Sequence, residues 1–370
     1  MIIGVPTEIK PQEYRVAVVP AGVEQLRRSG HTVLVQKAAG VNSGFADEDY
    51  QALGADIVET ADEIWQQADL ICKVKEPLPQ EIKKIRSGQV LFTYFHFAAN
   101  RELTEGVRDS NCVAIAYETV VDREGRLPLL APMSEVAGKM SIQEGAKYLE
   151  KPMLGRGILL GGIPGVEPAN VLVLGGGIVG TCAARVAAGL GANVVMMDID
   201  LYRLRYLAEV MPANVRTVYS TPAAIRNHLE RADLVIGAVL IPGARCPTLV
   251  PREYLKLMKP GAVIVDVGVD QGGCCETTKP TTHEDPAYVV DGVLHYGVAN
   301  MPGAVARTST AGLTNATISY LVKLAQRGFD RAIAADPGLA AGVNMAYGKI
   351  TNQAVAEAFG LPYEPYEPKV

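Results

Sequence analysis

The sequence predicts an α/β protein of two open, parallel-sheet domains, one inserted into the other. Three observations predict it. Short apolar runs alternate with amphipathic stretches of helical period along most of the chain, which is the pattern of βαβ units. The alternation breaks near residues 126–133 and resumes with a second set of strands after a Gly/Pro-rich turn. At 370 residues the chain is also too long for one hydrophobic core.

In chain order, the first strands are expected at Ile2–Val5, Thr32–Val35, Leu70–Val74, Val90–Tyr94 and Val113–Ala116. Helical segments such as Ala21–Ser29 and Ala61–Gln67 lie between them. Runs this apolar suit strands covered on both faces, as in parallel sheets. The loop Arg126-Leu-Pro-Leu-Leu-Ala-Pro-Met133 follows and reads as a hinge near Met133. Ser134 is a good N-cap, so a helix is expected from there toward Leu149. After the turn Gly161-Gly-Ile-Pro-Gly-Val-Glu-Pro168, strands are expected at Asn170–Leu174, Asn193–Met197, Val215–Tyr219, Leu234–Ala238, Val263–Val267 and His295–Val298. Six such strands match a dinucleotide-binding, Rossmann-like fold. From about Ala304 the chain reads as helix without further strands, returning to pack on the first domain. The expected domains are 1–128 with 307–370, and an inserted 129–306.

Composition narrows the function. Apolar residues make up 48% and charged residues 20%, ordinary for a globular protein. A formal net charge of -5 argues against nucleic acid or anionic lipid as the main partner. The N-terminus lacks the basic start and apolar run of a signal peptide. The stretch from Val171 to Met197 carries only Arg185 as a charge, but glycines punctuate it, so strand, turn, helix and strand explain it better than a membrane span. Six cysteines without a CxxC pair read as reduced thiols of a cytoplasmic protein rather than disulfides or a metal site.

One motif carries chemistry directly. Val171-Leu-Val-Leu174 runs into Gly175-Gly-Gly-Ile-Val-Gly180 and a helical stretch from Thr181. Here Gly175 allows the tight turn, Gly177 lets a pyrophosphate approach the backbone, and Gly180 lets helix pack on sheet. The helix N-terminus offers amides and a positive dipole to the phosphates. The next strand ends at Asp198, whose carboxylate can accept both ribose hydroxyls and repel a 2′-phosphate. NAD is therefore the expected cofactor, with Arg203 nearby leaving the exclusion of NADP open.

Open α/β sheets bind ligands beyond the carboxyl ends of their strands. Lys75, His96, Asp270 and Asn300 each follow a predicted strand, so all four are expected at one cleft. Their chemistry suits amino-acid oxidation. A general base near neutral pH must take a proton from the amine and then from water, which suits histidine. Lysine can hold a carboxylate or polarise a carbonyl, and nicotinamide does the redox work without a metal. Plainer readings stay open for each residue alone. His96 lies between Phe95 and Phe97, Lys75 begins Lys-Glu-Pro, Asp270 precedes Gln271-Gly-Gly273, and Asn300 precedes Met301-Pro-Gly303. His31, His228, His283 and His295 receive no role.

Over essentially its full length the chain resembles the alanine dehydrogenase family. The resemblance rests on Ile3-Gly-Val-Pro-Thr-Glu-Ile-Lys10, Glu13-Tyr-Arg-Val-Ala-Val-Val-Pro20, Val74-Lys-Glu-Pro77 and Phe92-Thr-Tyr-Phe-His96. Pro132-Met-Ser-Glu-Val-Ala-Gly138, Val173-Leu-Gly-Gly-Gly-Ile-Val-Gly180 and Val298-Ala-Asn-Met-Pro-Gly-Ala-Val305 extend it. It implies NAD-dependent, reversible oxidation of L-alanine to pyruvate and ammonium, in a homohexamer. His96 and Asp270 would be the acid/base pair, with Arg15, Lys75, Tyr94, Met133 and Asn300 at the substrate. Ser134, Gly175, Gly177, Ile178, Val179, Gly180, Asp198, Arg203, Ser220, Val239, Leu240, Val267, Asp270, Asn300 and Met301 would contact NAD. Arg203 stands where the family often has lysine.

The same two domains also resemble the nucleotide-binding component of a proton-translocating transhydrogenase. Such a component acts beside membrane spans and takes no small organic substrate. This chain shows no spanning segment and keeps His96 and Lys75. A NAD-sensing protein that lost catalysis is a third reading.

Overall fold

A computed structural model describes residues 1–239 and 246–369. The chain divides into two compact units, 1–133 with 303–370, and 134–302.

The first unit holds an eight-stranded sheet. Its strands are β1 (Ile2–Val5), β2 (Thr32–Gln36), β3 (Asp56–Val58), β4 (Leu70–Cys72), β5 (Val90–Thr93) and β6 (Val113–Ala116). The second unit contributes β7 (Asn170–Leu174), β8 (Asn193–Asp198), β9 (Val215–Tyr219), β10 (Leu234–Gly237), β11 (Val263–Asp266), β12 (Ala287–Val290) and β13 (Val293–Tyr296). The first unit is completed by β14 (Val343–Ala346) and β15 (Lys349–Ile350). Its order is β15-β14-β6-β5-β4-β1-β2-β3, and that of the second is β12-β13-β11-β10-β7-β8-β9. Both sheets are mostly parallel, and the parallel strands of each follow the doubly wound order 3-2-1-4-5-6. Antiparallel pairs occur only at edges among the described residues: β14 with β6 and β15, and β12 with β13.

Local signals start the helices. Helix Pro20–Arg28 opens with proline in its first turn, where no intrahelical N–H is missed. Thr60 and Glu63 form a capping box for Ala61–Gln67. Asp200 accepts the amides of Tyr202 and Arg203 at the start of Leu201–Val210. The central strands are buried on both faces, with Trp65, Leu91 and Phe95 in the first core and Leu172, Val235 and Ile264 in the second. Each such side chain contributes about 1.5–3 kcal/mol of burial.

Two expectations are corrected here. The helix expected from Ser134 spans Ala131–Tyr148, so Ser134 is its fourth residue rather than its cap. A turn over Leu127–Ala131, in which Leu127 O accepts two amides, leads into it, and Pro132 fits the first turn without losing a bond. The C-terminal stretch is not helix alone. The 22-residue helix Ala306–Arg327 forms, packing Ile318 against Gly22, but the hairpin β14–β15 follows. Its turn is Tyr347-Gly348, both at positive φ, a conformation that Asn-Gly usually signals.

Candidate active site

In the first unit, parallel pairing lays the carboxyl ends of β1, β4 and β5 side by side: Gly4 opposite Ile71, and Cys72 opposite Phe92. The segments that leave those ends carry Arg15, Lys75 and His96. Tyr94 N donates to Val74 O at 3.3 Å, and Thr93 Oγ1 donates to Lys75 O at 3.0 Å, so the β4 and β5 exits are bonded together.

Arg15 is buried, its Nε and Nη2 donating to the two carboxylate oxygens of Glu13 at 2.6 Å each. Its Nη1 donates to Met133 Sδ at 3.0 Å, which brings a third expected residue to the cluster. Burial first, and the Arg15 charge second, hold the Lys75 ammonium below its ordinary range. Tyr94 is buried, donates to Leu129 O, and has its phenol pushed up by burial, so it stays protonated and is excluded as a base at neutral pH. Its ring stacks on His96, with centroids 5.8 Å apart and planes 2° apart. The His96 side chain is 42% exposed, which sets aside the core reading suggested by its phenylalanine neighbours.

Three glutamates escaped the sequence reading. Glu8 Oε1 accepts the amides of Val74 at 2.6 Å and Lys75 at 3.3 Å, while Oε2 takes Lys73 Nζ at 3.1 Å. Lys73 also donates to Glu81 at 2.9 Å, and the whole trio is buried. Burial pushes the Glu8 carboxyl up against the pull of Lys73. Glu118 Oε1 accepts the His96 amide at 2.6 Å, and Glu13 holds Arg15. Glu8 and Glu118 follow β1 and β6, so the strand-end rule that found Lys75 could have found them too.

In the second unit, the ends of β7, β10 and β11 are likewise adjacent, Leu174 opposite Gly237 and Gly237 opposite Asp266. Gly175 leaves β7 at φ +103, where any Cβ would press on Ala238 O at 2.6 Å. A Cβ on Gly177 would meet nothing within 4 Å, so open space lies over the start of helix Ile178–Gly189. First-turn amides have no intrahelical acceptor, and a diphosphate fits that opening. Asp198 closes β8; its oxygens accept the amides of Gly176 at 2.7 Å and Asp200 at 2.9 Å, which fixes the carboxylate beside the loop. Arg203 donates to Gly176 O at 2.6 Å and Thr181 Oγ1 at 2.9 Å, so its guanidinium is committed to the loop backbone. Ser220 N donates to Asp198 O at 2.9 Å.

Val239 and Val267 lie at the ends of β10 and β11, with the exposed Asp270 in the turn Val269–Gln271 beyond. Asn300 follows β13 at φ +62, a left-handed conformation that asparagine tolerates, and its carbonyl accepts from His283 Nε2 at 3.4 Å. Met301 beside it is buried, and Ser134 sits in the first turns of Ala131–Tyr148. Leu240 lies outside the described residues. All six cysteines are unbridged. Asp266, Cys274 and Cys275 bring potential ligand atoms within 4.8 Å of one another, but Asp266 Oδ2 already accepts the Cys274 and Cys275 amides at 2.8 and 3.2 Å. That carboxylate therefore ties the loop together.

A glycine loop at a sheet switch point, an acid on the next strand and a basic cluster on a second parallel sheet define a nucleotide-binding α/β protein of the dehydrogenase class. The chain belongs to the alanine dehydrogenase/PNT family, whose N-terminal domain model matches residues 4–137 and C-terminal domain model 141–353. It is 55% identical over 363 residues to the alanine dehydrogenase of Halomonas elongata, covering 98% of each chain. A solved L-alanine dehydrogenase superposes with TM-score 0.94 at 50% identity, over 97% of this chain and 99% of that one. The transhydrogenase structure from Sinorhizobium meliloti is more distant, with TM-score 0.81 at 26% identity, over 96% and 100%. No helix among the described residues is long and apolar enough to cross a membrane.

Proposed function

We propose that this chain catalyses the reversible, NAD-dependent oxidation of L-alanine to pyruvate and ammonium in the cytoplasm. Within the full-length family match, the observation that carries it is the gathering of Arg15, Lys75 and His96 on adjoining strand ends. On this reading 1–128 with 307–370 is the substrate domain, 129–306 binds NAD, and the chain assembles as a homohexamer.

The substrate carboxylate sits against Arg15 and Lys75, cations suited to an anionic alanine or pyruvate. His96 takes a proton from the alanine ammonium, freeing the nitrogen lone pair that stabilises the developing C=N bond. Bound NAD supplies the acceptor for the Cα hydride. His96 releases that proton to solvent, then takes one from water as it adds to the imine carbon, and returns this second proton to the departing amine. Lys75 stabilises the oxygen that becomes the pyruvate carbonyl. On this reading Asp270 is the second acid/base group, and Tyr94, Met133 and Asn300 are further substrate-binding residues. Ser134, Ile178, Val179, Ser220, Val239, Val267 and Met301 line the cofactor around the glycines and Asp198.

The test is absorbance at the nicotinamide band with NAD and a panel of L-amino acids at alkaline pH. NADH is expected to form far faster with L-alanine than with any other. Absence of turnover in protein that binds NAD would favour the transhydrogenase or sensor readings.

Cofactor choice is separately testable. With Asp198→Ser, kcat/KM for NAD is expected to fall about 10–100-fold, since a hydrogen bond to a charged group contributes about 1.5–3 kcal/mol. NADP should lose less, because the repulsion of its phosphate goes too. Unchanged preference in steady-state kinetics would remove Asp198 as the ribose acceptor.

A further inference from the structure

His96 is held in an unusual backbone state. It sits at φ 52 and ψ 43, in the left-handed region, between strand β5 and the short turn Phe97–Ala99. Residues other than glycine visit that region in only a few per cent of cases, and one stays there when its surroundings impose it. Glu118 provides that constraint. Its Oε1 accepts the amides of His96 at 2.6 Å and Phe95 at 3.2 Å, so one oxygen bridges two successive N–H groups. The same oxygen lies 3.9 Å from His96 Nδ1, too far for a hydrogen bond but close for a charge.

Glu118 comes from a different element, the turn Tyr117–Thr119 after β6. Parallel pairing of Thr93 with Ala116 fixes that element beside the end of β5. The carboxylate is mostly covered, with 13% of its side chain exposed, whereas the imidazole projects into the open. Tyr94 stacking supports the ring from its face, and Glu118 supports it from its backbone.

We propose that Glu118 is the positioning residue for His96. It imposes the left-handed bend that turns the imidazole out of the strand, and it places a negative charge beside the ring when the ring takes up a proton. This rests on His96 being the acid/base group of the proposed reaction. The two roles separate in two variants. Glu118→Gln keeps one carbonyl oxygen able to accept both amides but carries no charge. Glu118→Ala loses both functions.

The experiment compares wild type, Glu118→Gln and Glu118→Ala in kcat and KM for L-alanine, NADH affinity by fluorescence, and thermal unfolding. It adds the imidazole NMR resonance of His96, assigned by its loss in a His96→Asn variant. Glu118→Ala is expected to lower kcat about 100-fold, the scale of a misplaced catalytic group, with NADH affinity and KM within about three-fold. Glu118→Gln is expected to recover to within about ten-fold of wild type, by keeping the backbone bonds. The His96 resonance should move in Glu118→Ala while those of the other histidines stay.

The proposal is overturned if Glu118→Ala retains wild-type kcat, or if the His96 resonance stays in place. It is equally overturned if the loss of kcat is matched by loss of NADH binding and of folded protein. A wild-type protein without alanine turnover would sink the proposed reaction, while the NMR comparison would still decide what Glu118 does to His96.

Discussion

His96→Asn is expected to lower kcat for alanine oxidation by about 10³-fold while leaving NADH affinity within two- to three-fold, general acid–base groups contributing about 10²–10⁴-fold. Asparagine is the informative substitute because it tolerates the left-handed backbone that alanine would strain. A loss of rate then reports the missing imidazole rather than a collapsed loop. The expected loss is large because on the proposed mechanism His96 serves two proton transfers, one from ammonium and one from water. Tyr94 is held protonated by burial and cannot act as a base in its place. The measurement is steady-state kinetics in both directions with NADH binding by fluorescence. Most of the wild-type rate surviving in His96→Asn would defeat the acid/base role.

What the sequence revealed follows how each signal arises. The central strands were legible because burial on both faces leaves continuous apolar runs, and all eleven expected strands lie within two residues of observed ones, from Ile2–Val5 through Val263–Asp266 to Val293–Tyr296. Edge and margin strands were not, apart from the half-exposed Val215–Tyr219. Asp56–Val58 is three residues long and half-exposed, and Ala287–Val290 and Val343–Ala346 pair antiparallel at sheet margins. Their turns carry weak signals, as Tyr347-Gly348 shows. Ser134 misled because a capping residue type sat inside a helix that an upstream turn had already started.

The candidate site divides in the same way. Lys75, His96 and Asp270 could be found because a strand end is a position that sequence reveals. Glu8 and Glu118 stand at equivalent positions yet give no sign of what they do. Each acts on backbone amides more than 20 residues away in sequence, and only the lateral order of the strands joins them. Such contacts follow from topology, whereas the residues that touch ligands follow from motif. The three carboxylates also explain how Arg15, Lys75 and His96 can share one sheet edge. Glu13 pairs with the Arg15 charge, while Glu8 accepts the Lys75 amide and Glu118 the His96 amide.

Two glycines of the nucleotide loop should separate folding from binding, and the difference is expected to be large. A Cβ on Gly180 would overlap the carbonyl oxygen of Gly175 and approach Val173 Cγ1 at 3.1 Å. The Gly175 carbonyl cannot yield without moving the helix off the sheet. Gly180→Ala should therefore destabilise the protein by about 2–3 kcal/mol, in the range of overpacked cores. That corresponds to roughly 5–10 °C in Tm for a unit of this size. A Cβ on Gly177 meets no protein atom within 4 Å. Gly177→Val should leave Tm within about 2–4 °C, the change at the N-cap costing about 1 kcal/mol or less. Its isopropyl group instead fills the opening at the helix N-terminus, where the diphosphate is expected. NAD affinity should fall at least about 100-fold, equivalent to ~2.7 kcal/mol. Calorimetric melting paired with NADH fluorescence titration reads both quantities on the same samples. If Gly177→Val binds NADH as wild type does, the diphosphate does not lie over that helix, and the cofactor reading of the loop fails even though its fold is correct.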